Sequence, residues 1–223
     1  MDKNYKHIKS YVLRSSRMSS LQKKAYNSLK DKYIIPYSEG FLDFKKKFNN
    51  ENIIIEIGFG MGEATVEIAK NHPDKKIIAI EVHKPGIGKL LDEIEKNNLN
   101  NISIIEYDAV KVFHDMIPDD SLYGVHIFFP DPWPKKRHHK RRLIKKEFIE
   151  IIGRKLKKRS YIYIATDWEH YAYNILEILN SVDSLKNKFN DFAEKISWRP
   201  ETRFEEKGLK KSHKIWELYF FKN

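Results

Sequence analysis

Cysteine is absent from the 223 residues, which excludes disulfides and thiolate metal sites and fits a reducing compartment. No apolar run approaches membrane-spanning length, and the opening MDKNYKHIKS is too polar for a signal peptide. Internal repeats and low-complexity linkers are also missing. The expectation is a soluble cytoplasmic chain with no membrane partner and no metal, sized for one α/β domain with additions or at most two small domains. That length permits a substantial core without covalent staples.

Positive charge, by contrast, is in excess. The formal net charge is +11 and the pI is near 9.5, which points to a polyanionic partner. Lys, Asn and Ile are abundant throughout, so local clustering says more than the total. The densest cluster is FFPDPWPKKRHHKRR, residues 128–142. Proline at 130, 132 and 134 fixes φ and removes amide donors, which predicts a stiff, extended loop. One carboxylate, Asp131, and one large aromatic, Trp133, stand beside Lys135, Lys136, Arg137, His138, His139, Lys140, Arg141 and Arg142. Charge alone would mean a solvated basic loop. A proline-framed Asp-Trp directly after an apolar strand suits a site that handles a nucleic-acid base while its phosphates are gripped.

Residues 1–50 read as a basic extension that docks on a core spanning 51–223. Within it, Ser20 is placed to cap a helix through Leu21, Ala25 and Leu29, with Arg14, Arg17, Lys23 and Lys24 along its approach. From Asn52 onward, short apolar runs alternate with helical ones. Strands are expected at 53–57, 77–80, 102–105, 124–129 and 161–165. Helices are expected at 63–71, through Leu90, Leu91 and Ile94, at 143–156 and at 171–179. Continuous apolar strands separated by helices mean an α/β fold with a mostly parallel sheet covered on both faces. A weaker strand is expected around 193–198, and a last one, 213–221, has no helix after it.

Gly58, Gly60 and Gly62 join the first strand to the first helix, where backbone can approach a ligand closely. The dinucleotide fingerprint needs glycine at its sixth position, but Glu63 stands there, and no Walker lysine follows. What remains is the GxGxG turn of S-adenosylmethionine-dependent methyltransferases, with Glu56 two positions before the first glycine. A cofactor with a sulfonium and a free ammonium favours a carboxylate at this edge, where a pyrophosphate would be repelled. Glu81 ends the second strand, where an acid can take two ribose hydroxyls. Asp108, after the third strand, is placed to reach an adenine amino group.

With these residues assembled, the chain closely resembles the tRNA (guanine-N7)-methyltransferase family over nearly its whole length. The resemblance rests on EIGFGMGEA (56–64), IEVH (80–83), YDA (107–109), FFPDPWPKKRHHKRR (128–142), IATDWEHYA (164–172) and TRFE (202–205). The leader YVLRSSRM is similar too. The resemblance implies a Rossmann-like class I methyltransferase sheet of seven strands, the last antiparallel, and methylation of tRNA at the variable-loop guanine, position 46. It implies that Glu56, Gly58, Gly60, Gly62, Glu81, Asp108 and Asp131 meet the cofactor, with Asp131 also catalytic. Lys135, Asp167 and Thr202, Arg203, Phe204 and Glu205 then bind the substrate, and residues 137–142 meet the RNA. Two departures stand out. Lys157-Lys-Arg-Ser160 replaces a glycine-containing turn before the fifth strand, and Lys210-Lys211 stand where relatives tend to carry glycine.

Guanine N7 carries a free lone pair, so no proton must leave before attack. Asp131 can orient the base and stabilise the developing positive charge. Asp167 and Glu205 could hold the guanine's N1–H and amino edge, rejecting adenine by leaving acceptors unpaired. A basic RNA-binding protein that has lost catalysis is the competing reading, and the intact carboxylates at 56, 81, 108 and 131 argue against it. A monomer or weak homodimer is expected.

Overall fold

The computed structural model describes residues 8–12, 17–49, 52–202, 205–206 and 214–223. Arg14, Arg203, Phe204, Lys210 and Lys211, singled out above, lie outside these. The isoleucine-rich runs form β1 (Asn52–Ile57), β2 (Lys75–Ile80), β3 (Ile102–Ile105), β4 (Leu122–Phe128) and β5 (Leu156–Thr166), all mutually parallel. Next come β6 (Leu185–Asn187) and β7 (Trp216–Lys222), and β7 runs antiparallel to both β5 and β6. The seven strands lie in the order β3-β2-β1-β4-β5-β7-β6.

Successive side chains of a strand face opposite ways, so each run needs cover on both sides. Ile53, Ile55, Ile57, Ile78, Ile80, Ile162 and Ile164 pack with α2 (Phe44–Phe48), α5 (Ala109–Asp115), α6 (Lys146–Lys155) and α7 (Glu169–Asn180). Ile77, Ala79, Ile102, Ile104, Tyr161 and Tyr163 pack with α1 (Ser20–Tyr33), α3 (Glu63–Asn71) and α4 (Lys84–Lys96). Helix α1 seats itself on α4, where Gly88 has no Cβ to strike the carbonyl of Gln22. Ile34 adds a single parallel bridge to Ile104, and Ile35 N–H reaches Ile104 O.

Four local expectations are corrected. The cap of α1 is Ser19, whose hydroxyl accepts from Gln22 N–H while Gln22 Oε1 accepts from Ser19 N–H, a reciprocal capping box that Ser20 cannot form. Helix α6 starts at Lys146 rather than 143, because the Ile144 N–H is given to the Tyr171 hydroxyl, 3.1 Å away. Residues 156–160 continue directly into β5 without a glycine turn. Arg159 takes a left-handed φ of 65°, and the register against β4 slips between Leu122 and Gly124. Finally, 193–198 is not a strand. Only Ala193 bridges to Glu217, while Ile196 N–H goes to the Tyr163 hydroxyl and Trp198 stacks on His126. The sixth strand is formed earlier, at 185–187. Helix α5, which periodicity did not reveal, is nucleated by Asp108 at its N-cap.

Beside that irregular stretch lies Arg199, fully buried. Its guanidinium forks onto both oxygens of Glu205 at 2.7 and 2.9 Å and also reaches Glu217 on β7. Lys195 adds a second cation to Glu205 at 3.1 Å. The cluster ties the segment after Trp198 onto the last long strand. Arg199→Met would leave buried carboxylates uncompensated and should cost about 3–5 kcal/mol. A thermal melt within a degree or two of wild type would contradict this.

Candidate active site

The sheet reverses its winding between β1 and β4, and the crevice at the carboxyl ends of parallel strands is where such folds bind ligands. Two carboxylates line cavities there, Glu56 from β1 and Glu81 from the end of β2, while Asp108 is buried between two residues that line one of them, Tyr107 and Ala109. The glycine turn lies between Glu56 and Glu81, with Gly58, Gly60 and Gly62 at φ of 74°, 60° and 80°. At Gly60 an added Cβ would point into open space, whereas at Gly86 on α4 it would strike the Gly60 carbonyl. Helix α4 therefore packs against the turn with no room for a side chain.

Glu81 fastens the same turn from the other side. One of its carboxylate oxygens accepts from Gly60 N–H at 3.0 Å, the other from Val82 N–H at 2.7 Å and His83 N–H at 3.1 Å. Two adjoining cavities of 240 and 230 Å³ share Gly58, Gly60, Phe128 and Phe129. Glu81 and Asp131 line the first, and Glu56, Gly62 and Thr202 line the second.

Glu56 is the one charged side chain inside β1, and it is buried. Burial pushes its pKa up to about 7, opposed in part by the Thr65 hydroxyl and reinforced by the nearby Glu81 charge. Its Oε2 has no hydrogen-bond partner among the described residues. A buried carboxylate oxygen left open at a cavity wall is an unfilled acceptor, the requirement for a ligand ammonium. Asp108, also buried, accepts from Val110 N–H at 2.9 Å and Lys111 N–H at 3.3 Å. It is also hydrogen-bonded by the Tyr11 hydroxyl, whose own pKa is raised, chiefly by burial.

Tyr11 and Ser10 complete the first cavity. Ser10 O accepts from Trp133 Nε1–H at 3.1 Å, so residues of the leader join two parts of the site. Nothing in the sequence singled out either residue beyond the leader itself. In the proline loop, Phe129 and Trp133 hold φ of 53° and 47°, the left-handed region that bulky residues avoid. Phe129 N–H is fixed to Ala165 O at 2.8 Å, which anchors the loop to β5. Asp131 is exposed at the cavity rim, Lys135 is exposed just after it, and Arg137 and Lys140 are exposed on the 3-10 turn that follows, Lys136–Arg141. Arg141 lies 5.1 Å from the Trp133 ring centroid. Burial first, and then surrounding arginines and lysines, hold His138 and His139 below the usual histidine range.

Two of the expected site residues are buried. Arg142 has its guanidinium turned inward. Glu205 has both oxygens bonded by Arg199. The residue of that segment at the cavity is Thr202, whose hydroxyl accepts from Glu205 N–H at 3.1 Å. Asp167 lies between β5 and α7, beside Trp168, His170, Lys214 and Trp216. Among the described residues, no group of His, Asp or Glu is arranged to hold a metal ion, and no helix is long and apolar enough to cross a membrane.

The sheet order, the antiparallel last long strand and a glycine turn flanked by strand-end carboxylates define a class I methyltransferase. Residues 50–218 match the family model described as "Putative methyltransferase". Solved structures with the same fold include the 16S rRNA methyltransferase KamB, with a TM-score of 0.61 at 13% identity, covering 86% of this chain and 99% of that one. Another is the 30S ribosomal A1408 methyltransferase from an uncultured bacterium, with a TM-score of 0.54 at 15% identity and the same coverage. Sequence relatives are far nearer. The chain is 51% identical over 216 residues to a tRNA (guanine-N(7)-)-methyltransferase from Nitrosomonas eutropha, covering 96% of each. It is 47% identical over 219 residues to that of Nitrosospira multiformis, covering 98% of this chain and 96% of the relative. The chain belongs to the tRNA (guanine-N(7)-)-methyltransferase family.

S-adenosylmethionine is the cofactor this class uses, and the open Glu56 Oε2 at the cavity wall fits its ammonium. A raised carboxyl pKa means that the folded empty chain holds the proton more tightly than an unfolded chain would. The stability Glu56 contributes is thus present below its ordinary value of 4.5 and lost as pH rises through about 7. An incoming ammonium requires the ionised form. Cofactor affinity should therefore rise with pH between about 5.5 and 7, by up to about tenfold per unit, with proton release detectable in calorimetry. Glu56→Gln should bind more weakly and without this pH dependence. The same slope in wild type and variant would remove Glu56 from the ammonium site.

Proposed function

We propose that the chain methylates N7 of the variable-loop guanine, position 46, in tRNA, using S-adenosylmethionine. The observation that carries this reading is that Asp131 and the glycine turn line one cavity, with an exposed basic turn directly after. The cofactor supplies the methyl group and the leaving sulfur, so the protein's task is alignment. The open wall at Gly60 leaves room for cofactor to lie against backbone. Asp131, at the rim, orients the guanine and offsets the positive charge that N7 alkylation creates in the ring. Asp167, just beyond β5, accepts from the guanine's N1–H and amino edge, and Thr202 lines the cofactor cavity. Lys135, Arg137, Lys140 and Arg141 meet phosphates, and the two histidines meet the backbone largely neutral.

Asp131 has no proton to remove, because N7 carries none. Single-turnover methylation at saturating cofactor and tRNA should be flat between about pH 6.5 and 8.5, and Asp131→Asn should lower that plateau without tilting it. A wild-type rate climbing tenfold per pH unit, flattened in the variant, would make Asp131 a base and refute this mechanism. Mapping the methylated nucleotide tests the position directly.

Neutralising Arg137, Lys140 and Arg141 should raise the tRNA Kd and flatten its salt dependence by roughly 0.7–0.9 in log–log slope for each phosphate no longer neutralised. An unchanged slope would reduce the arm to a solvated loop.

A further inference from the structure

Arg142 closes the basic run, yet only 4% of it is exposed. Its Nε–H donates to Pro132 O at 2.9 Å, and Nη1 donates to Asn174 Oδ1 at 3.1 Å. Nη2 lies 3.2 Å from both His139 Nε2 and His170 Nδ1. The guanidinium carbon stands 4.5 Å from the Tyr171 ring centroid. Both imidazole atoms must act as acceptors, since the guanidinium can only donate, and this fixes the tautomer of each ring. Four acceptors on three elements converge on one planar fork. Pro132 adjoins Asp131, and His170, Tyr171 and Asn174 belong to α7, whose first residue follows Asp167 and Trp168.

We propose that Arg142 is a positioning residue for methyl transfer. It locks the Asp131 loop to α7 through the Pro132 carbonyl, and so sets the spacing between Asp131 and Asp167. The proposal rests on the guanine-methylating function above, in which those two carboxylates flank the base. The local backbone makes such a lock necessary. Phe129 and Trp133 both hold left-handed conformations, and a loop carrying two such residues relaxes unless its surroundings over-determine it. Trp133 is held from the leader by Ser10, and Pro132 is held from beneath by Arg142. A lysine cannot replace the fork, because a single ammonium on a flexible stem does not span a carbonyl, an amide and two imidazoles in one plane.

The test uses the full chain, S-adenosylmethionine and an unmodified tRNA transcript. Arg142→Lys and Arg142→Met are compared with Arg141→Ala from the exposed arm. Both Arg142 variants should lose about tenfold or more in single-turnover rate, the scale of a displaced reacting geometry. Their cofactor Kd, tRNA Kd and salt slope should stay within about twofold of wild type, whereas Arg141→Ala should weaken tRNA binding and lower the slope. Wild-type rate in Arg142→Lys would overturn the proposal, as would a salt slope lowered in Arg142→Met to the same extent as in Arg141→Ala. Should the Arg142 variants fail to fold, Asn174→Ala removes one acceptor only. It should slow the chemical step with unchanged binding, and full activity there would equally overturn the lock. Methylation by wild type at a site other than a tRNA guanine would instead defeat the function on which the proposal rests.

Discussion

Cover on both faces of the sheet is the constraint from which the rest follows. Strands as apolar as β1 and β2 can be stable only between two helical layers, and the chain must wind in both directions from β1 to lay those layers down. The reversal leaves a crevice between the ends of β1 and β4 that neither layer fills. Glu56 is tolerated within β1 because it lies at the lip of that crevice. A carboxylate in such a place is poorly solvated, which is why its pKa is raised and one of its oxygens has no partner among the described residues.

The crevice is shaped by backbone more than by side chains. Gly60 is clasped between Glu81 and the bare Gly86 of α4, so the turn cannot drift away from the cavity. On the far side, the proline loop is rigid for a different reason: three prolines limit its φ angles, while β5 holds Phe129, Arg142 holds Pro132 and the leader holds Trp133. Rigid positioning from several elements is what alignment of a methyl group with a ring nitrogen requires.

Much of this was legible in the amino-acid order because the signals were local. Short apolar runs bounded by turns placed all five parallel strands, and the failed sixth-position glycine, together with Glu56, separated the cofactor classes. The Asp-Trp between prolines marked a loop that the fold brings to the same cavity as the glycine turn. What escaped depended on distant partners. Arg142 is indistinguishable from its neighbours in a basic run until α7 supplies its acceptors. Glu205 looks like a free acid until Arg199, in an otherwise featureless Trp-Arg-Pro, is folded against it. The weak strand was misplaced because Ile196 and Trp198 are apolar for ring packing rather than for a ladder. Tyr11 stood only as the first residue of the leader, because its partner Asp108 lies almost a hundred positions away.

The clasp between Ser10 and Trp133 spans 123 residues of chain. Pairings so far apart in sequence are entropically late in folding, since the intervening loop must first be shortened by structure of its own. Residues 8–12 are translated well before β4 and the proline loop exist, and they must wait for both. The wall that they lend to the cavity therefore exists only when segments at opposite ends of the chain's first 133 residues are in place together.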